Sequence, residues 1–243
     1  MIETAYSGRW PRVIAIDGPA GAGKSSVGAG VAARLAYLYF DTGVLYRALT
    51  WQALRAGVDT GDAVALAALA AAAPATVHPT TVADGRQYTV EVLGEDVTWA
   101  LRRSEVDINV SRVSAHRSVR EALVDQQRRI AAQGRVVMVG RDIGTVVLPD
   151  APLKVYLDAD LAARAERRLH EQARRGVILD YAALLEEMRR RDSLDSTRAV
   201  APLRAAADAV VIDTTPLTVD EVVERVLALV AARAGMCEQA PGP

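Results

Sequence analysis

The chain has 243 residues, 51% of them hydrophobic, with a net charge of −1 and a single cysteine, Cys237. That length and apolar content give a well-buried core and one large domain with room for an inserted subdomain. Near-neutral charge gives no support to general nucleic-acid binding, one cysteine excludes an internal disulfide and suits a reducing compartment, and the longest apolar run, the alanine-rich Ala63 to Ala75, is too short to span a bilayer.

Met1 to Arg12 carries Glu3 and lacks an apolar centre, so no signal peptide is expected and the expected location is cytoplasmic. Val13 to Ile16 is a short β-branched run and reads as a buried strand. Asp17 to Ser26 follows as D-G-P-A-G-A-G-K-S-S, which fits the phosphate-loop pattern G-x-x-x-x-G-K-[ST] at Gly18, Gly23, Lys24 and Ser25. Val27, Val31 and Leu35 then fall at four-residue spacing, one face of a helix. Strand, glycine loop and helix together point to a nucleoside triphosphate site. Glycines let the backbone turn so that several N–H groups converge on a phosphate, and the helix start adds its positive dipole end. Lys24 is expected to reach the β- and γ-phosphates, and the Ser25 hydroxyl to bind Mg²⁺.

Leu38 to Phe40 reads as a second strand. Asp41 to Arg47 turns into a helix running to about Ala56, with Thr42 as a suitable cap. Tyr46 and Arg47 read either as helix surface or as site residues, since a basic side chain on the first turn opposes the dipole and needs an anionic partner. Residues 62–73 form an alanine-rich helix. Thr76 to His78 and Gln87 to Leu93 flank an Asp84-Gly85 turn, which predicts a β-hairpin. Its antiparallel character breaks the strand–helix alternation, so about 60–115 reads as an insertion. Ser104 to Ser114 and Ser118 to Ala132 are polar, arginine-bearing helical stretches.

Arg135 to Val139 is the third strand of the main sheet. It leads into Gly140-Arg141-Asp142, and charged residues straight after a buried parallel strand lie at the crevice where α/β sheets bind ligands. Leu153 to Asp158 and Asp208 to Asp213 complete five strands. Between them, helices over 160–175 and 180–192 are rich in arginine and read equally as a solvated surface or as a lid closing over phosphates. Val219 to Ala232 is a closing amphipathic helix and Gly235 to Pro243 a frayed tail. The expected fold is α/β: a P-loop three-layer fold with a five-stranded parallel sheet, helices on both faces and a small β-containing insertion. With no exposed heptad or long apolar edge, a monomer is expected. Such a chain suits phosphoryl transfer, which needs in-line positioning and charge neutralisation more than a nucleophilic side chain.

The ordered motifs resemble bacterial cytidylate kinases, a nucleoside monophosphate kinase family. They are I-D-G-P-A-G-A-G-K-S at Ile16 to Ser25, D-T-G-x-x-Y-R at Asp41 to Arg47, G-E-D-V at Gly94 to Val97 and V-R-E-A-L at Val119 to Leu123. G-R-D-I-G-T-V-V-x-P follows at Gly140 to Pro149, and R-D-x-x-D-S-T-R-A-V-A-P-L at Arg191 to Leu203. The last two, in this order, are specific, and the resemblance runs from about Val13 to Val230.

The resemblance implies transfer of the ATP γ-phosphate to CMP or dCMP with Mg²⁺, and no nucleic-acid or membrane partner. It implies that Gly18, Pro19, Ala20, Gly21, Ala22, Gly23, Lys24, Ser25 and Ser26 wrap the ATP phosphates. Arg47, Arg141 and Arg198 look like clamps on the acceptor phosphate, with Thr42 and Tyr46 lining its side. Ser111, Arg120 and Asp142 match positions that read cytosine, and Arg191 and Asp195 match ribose contacts. Arg164 and Arg168 resemble lid residues that meet the transferring phosphoryl group. The implied organisation is one kinase domain over 12–233, with its core in 12–59 and 133–233, a nucleoside-monophosphate-binding insertion over about 60–132, a lid over about 160–192, and a tail over 234–243. The family commonly has an acidic residue before Gly140; Val139 stands there, leaving Asp17 or Asp142 to compensate.

Overall fold

The computed structural model describes residues 10–80, 82–174, 176–197 and 200–236. Eight strands and eight α-helices are assigned among them: β1 (Val13–Asp17), α1 (Lys24–Leu35), β2 (Leu38–Asp41), α2 (Gly43–Ala56), α3 (Ala63–Ala72), β3 (Thr76–His78), β4 (Thr89–Val92), β5 (Glu95–Asp96), α4 (Ser104–Ala115), α5 (Arg117–Ala132), β6 (Val136–Val139), β7 (Leu153–Asp158), α6 (Leu161–Arg174), α7 (Tyr181–Thr197), β8 (Val210–Asp213) and α8 (Val219–Met236). The main sheet has the order β2-β6-β1-β7-β8, and the small one β3-β4-β5. The main sheet is the expected five-stranded parallel layer with helices on both faces.

The chain divides into two compact units. Unit 1 is Met1–Tyr37 with Val137–Pro243, and unit 2 is Leu38–Val136. In unit 1, β1 runs parallel to β7 with Ile16 opposite Val155, and β7 runs parallel to β8 with Leu157 opposite Ile212. The central strand β1 is an almost continuous apolar run, buried on both faces, whereas β8 leaves Val211 exposed. Ile14, Ile16, Met138 and Leu157 are fully buried. Val27, Val31 and Leu35 bury one face of α1, as their spacing predicts, and α1 packs on α8. A Cβ on Gly30 of α1 would lie 2.8 Å from Val223, so glycine sets how closely the two helices approach.

In unit 2, α2 packs on α3 and α4, and α3 packs on α5. Asp62 caps α3 by accepting the N–H groups of Val64 and Ala65, both at 3.0 Å. The hairpin forms, with Val77 opposite Val90, but its second strand starts at Thr89. A third strand, β5, then pairs back on β4 through the tight turn at Leu93 and Gly94, both at positive φ. That turn carries no Asn-Gly or Asp-Gly signal, which is why the sequence shows only two strands.

Three local expectations are corrected. Thr42 holds the cap position of α2 in helical geometry and makes no side-chain cap bond; Asp41 Oδ1 accepts the Gly43 N–H instead, at 3.0 Å. The helix expected over 180–192 continues to Thr197, carrying Asp192 and Asp195 on its last turns. Residues Ile143–Val147 form one wide π-type turn where the sequence shows only a loop.

Candidate active site

The phosphate loop lies between β1 and α1 in unit 1, at the C-terminal edge of the sheet, where α/β folds bind ligands. Gly18 has φ +147°, and a Cβ there would sit 2.0 Å from the Leu157 carbonyl oxygen, so no other residue fits. Gly23 caps α1 with φ +88°. Lys24 is 8% exposed and its Nζ donates to the Pro19 carbonyl at 2.7 Å, which folds the side chain back across the loop. Ser25 and Ser26 are exposed on the first turn of α1. This leaves backbone amides, the helix end and the Ser25 hydroxyl available to phosphates and a metal.

Four side chains hold the loop's carbonyls and its neighbours. Arg164, from α6, is 5% exposed. Its Nε donates to the Ala159 carbonyl at 2.9 Å and its guanidinium donates to the Ala20 carbonyl at 3.0 Å and to Asp192 at 2.6 Å. Arg141 pairs with Asp195. Thr214, 2% exposed just after β8, donates to the Ala22 carbonyl at 3.3 Å and accepts from Arg167 at 3.0 Å. Asp192 and Asp195 thus reach two of the expected phosphate-handling arginines from α7. The Oδ1 of Asp192 is buried without a hydrogen-bond partner among the described residues.

Asp17, at the end of β1, is the fourth. It is 5% exposed, and its oxygens accept the Ile143 N–H at 2.8 Å and the Gly144 N–H at 2.7 Å. Burial pushes its pKa up to about 6; the two amides and Lys24 oppose that, and the nearby Asp142 charge adds to it. Asp142 itself is buried and its carbonyl accepts from Val146 and Val147 at 2.9 and 3.1 Å.

Unit 2 holds the remaining expected residues in its own frame. Arg120 is 7% exposed with its guanidinium over the Tyr46 ring, 5.6 Å from the centroid. Arg47 pairs with Asp107 at 2.6 Å and donates to the Leu101 carbonyl at 3.0 Å, which supplies the anionic partner its position demands. Thr42 is buried, and Ser111 is exposed on α4. Nearby, Tyr88 stacks on Tyr39 at 5.8 Å, and burial beside Asp41 pushes the Tyr88 pKa up to about 12.

Some expected residues stand apart. Arg168 is exposed and pairs with Glu171 at 2.9 Å; Arg191 is exposed on α7. Arg198 lies outside the described residues. Conversely, Asp192, Thr214 and Arg167 are contacts of the loop region that sequence reading missed. Thr214 carried one usable signal: it directly follows a parallel strand, the position that made Arg141 and Asp142 candidates.

A family model described as cytidylate kinase matches residues 14–232. A cytidylate kinase from Herpetosiphon aurantiacus is 51% identical over 224 residues, covering 92% of this chain and 96% of its own length. One from Bacillus subtilis is 47% identical over 214 residues, covering 88% and 94%. The solved structure of an uncharacterized protein from Eubacterium ventriosum is similar at a TM-score of 0.50 and 14% identity, covering 90% of this chain and 98% of that one; a likeness at that identity concerns the fold alone.

Proposed function

The chain belongs to the cytidylate kinase family, and from that premise we propose that it transfers the γ-phosphate of ATP to CMP or dCMP, giving ADP and CDP or dCDP. The observation that supports this best is the phosphate loop beside the Gly140-Arg141-Asp142 turn, with the Arg141 guanidinium 3.5 Å from the Gly18 carbonyl oxygen.

The chemistry follows from the residues. An oxygen of the acceptor phosphate attacks the γ-phosphorus, and the bond to the β-bridging oxygen breaks in line. The nucleophile is already an anion, so no general base is required. The loop amides and Lys24 would hold the β- and γ-phosphates. Mg²⁺ would neutralise charge on those phosphates, and the exposed Ser25 hydroxyl fits an ion whose other ligands are phosphate oxygens and waters. Arg47, Arg141 and Arg198 would clamp the acceptor phosphate, with Thr42 and Tyr46 on its side, and Arg191 and Asp195 would meet the ribose. Arg164 and Arg168 would act on the transferring group. Ser111, Arg120 and Asp142 would read the base. Cytosine offers an N4 amino donor to the Asp142 carboxylate, whereas uracil sets a carbonyl against it and leaves two acceptors unpaired. We take residues 60–132 as the acceptor-binding insertion and 160–192 as the lid, in a monomeric cytoplasmic enzyme. Among the described residues no helix is long and apolar enough to cross a membrane.

A coupled ADP-release assay with ATP·Mg²⁺ and separate CMP, dCMP, UMP, AMP and GMP tests this. Turnover is expected with CMP and dCMP and little with the rest. Asp142→Ala should cut the CMP-to-UMP ratio of kcat/KM by about tenfold or more. A wild-type ratio in that variant would remove Asp142 from base recognition. No turnover with any acceptor would overturn the kinase assignment.

A further inference from the structure

We infer that Asp17 is a positioning residue for cytosine recognition, because its carboxylate holds the turn that presents Asp142. The inference rests on Asp142 reading the base, as proposed above. The main sheet is still paired where the two segments meet: the Gly140 N–H donates to the Ile16 carbonyl at 3.0 Å. One residue later on β1 comes Asp17, and two residues later on the other segment comes Asp142. The chain then enters the wide turn Ile143–Val147. A helical turn leaves its first N–H groups without intrahelical acceptors. Asp17 accepts two of them, Ile143 and Gly144, one on each oxygen. The site is closed to solvent, so water does not replace a lost acceptor there.

The turn packs on both side chains: a Cβ on Gly144 would stand 3.1 Å from the Lys154 side chain and in ordinary contact with Asp17 Oδ2 at 3.4 Å. Two converging donors need two acceptors, which a carboxylate has and an amide side chain lacks. With both oxygens committed to amides, Asp17 is poorly suited to take the metal-side role that Val139 leaves open. It acts on the base-reading side of the site.

The test is a double-mutant cycle on the full chain, with Asp17→Asn, Asp142→Ala and the pair. Steady-state kinetics are measured for CMP, UMP and ATP, with a Mg²⁺ activation curve. Asp17→Asn should raise KM for CMP and lower the CMP-to-UMP ratio of kcat/KM, each by about tenfold, because one turn amide is left unpaired. KM for ATP and the Mg²⁺ curve should stay at wild-type values. In the Asp142→Ala background, Asp17→Asn should no longer change the ratio. An unchanged ratio in Asp17→Asn, the same drop in both backgrounds, or a raised Mg²⁺ requirement with normal CMP kinetics overturns the inference. If Asp142→Ala alone leaves the ratio unchanged, the base-reading assignment fails instead. Should Asp17→Asn not fold, Asp17→Ser leaves a single acceptor oxygen on a smaller side chain; a wild-type CMP-to-UMP ratio there also overturns it.

Discussion

Arg164 in unit 1 and Arg86 in unit 2 both have side chains only 6% exposed, and both direct all their guanidinium nitrogens at oxygen acceptors. Their acceptors differ in origin. Arg86 takes both Asp84 oxygens at 2.8 and 2.7 Å, together with Asp96 and the Thr89 hydroxyl. All of these belong to one small sheet and its turns, within a dozen residues of Arg86. Arg164 takes Ala20 from the phosphate loop, Ala159 at the end of β7 and Asp192 from α7. The first cluster closes a local structure on itself. The second joins three distant segments around the loop expected to hold ATP, and among the described residues it leaves one Asp192 oxygen without a partner. The distinction is one of span: the partners of Arg164 are remote and include a carbonyl of the phosphate loop, and those of Arg86 are local.

The largest effect that tests this distinction is expected from Arg164→Ala. Removing one partner of a buried pair leaves Asp192 uncompensated and costs about 3–5 kcal/mol. Asp192 retains some solvent contact, with 25% of its side chain exposed, so the lower end of that range is expected. The Ala20 carbonyl also loses its donor, so KM for ATP should rise. Thermal melting and ATP kinetics check both. A variant that is less stable but binds ATP normally would reduce the Arg164 cluster to the same purely structural standing as Arg86.

The comparison also explains what the sequence made legible. The sheet strands show as short apolar runs, β-branched in β1, β6 and β8, and the phosphate loop announces itself through the spacing of Gly18, Gly23 and Lys24. Each rests on neighbours within a few residues. Arg86 is partly legible for the same reason, since Asp84-Gly85 marks its turn. The Arg164–Asp192, Thr214–Ala22 and Asp17–Ile143 contacts span 28, 192 and 126 residues. No period or local motif encodes such pairs. Asp192 lies inside the expected helix, where nothing local sets it apart from an ordinary solvated acid; its partner is 28 residues away.

A smaller effect separates the carboxylates of the two units. Arg86 holds the Asp84 and Asp96 carboxyls below their ordinary range. Asp17 goes the other way, pushed by burial from 3.8 to about 6. A raised folded-state value means that the Asp17 contribution to stability is fully present below about pH 4 and is lost as pH rises through 6. The two values convert to at most about 3 kcal/mol. Asp17→Asn should therefore gain stability relative to wild type between pH 4 and pH 7.5, by up to that amount. Urea midpoints of both proteins across this range measure the change in their difference, in which the other titrating groups cancel. A constant difference would mean that Asp17 ionises as easily as an exposed carboxyl.

The smallest effect is expected from Arg86→Ala. Two carboxylates would lose their shared cation, though Asp84 keeps the Trp99 indole N–H at 2.8 Å and Asp96 keeps Thr98 at 2.7 Å. These remaining donors, and the solvent reaching both acids, soften the loss. A fall in Tm of about 2–4 °C is expected at neutral pH. Because these carboxyls are held low, their contribution is present above about pH 4 and lost as pH falls below it. The gap between wild type and variant should therefore close in acid, and shrink in high salt. Turnover and KM for ATP should not move, since every acceptor of Arg86 lies within its own small sheet and turns. If Arg86→Ala raised KM for ATP as much as Arg164→Ala, the span of an arginine's partners would carry no information about function, and the distinction between the two clusters would collapse.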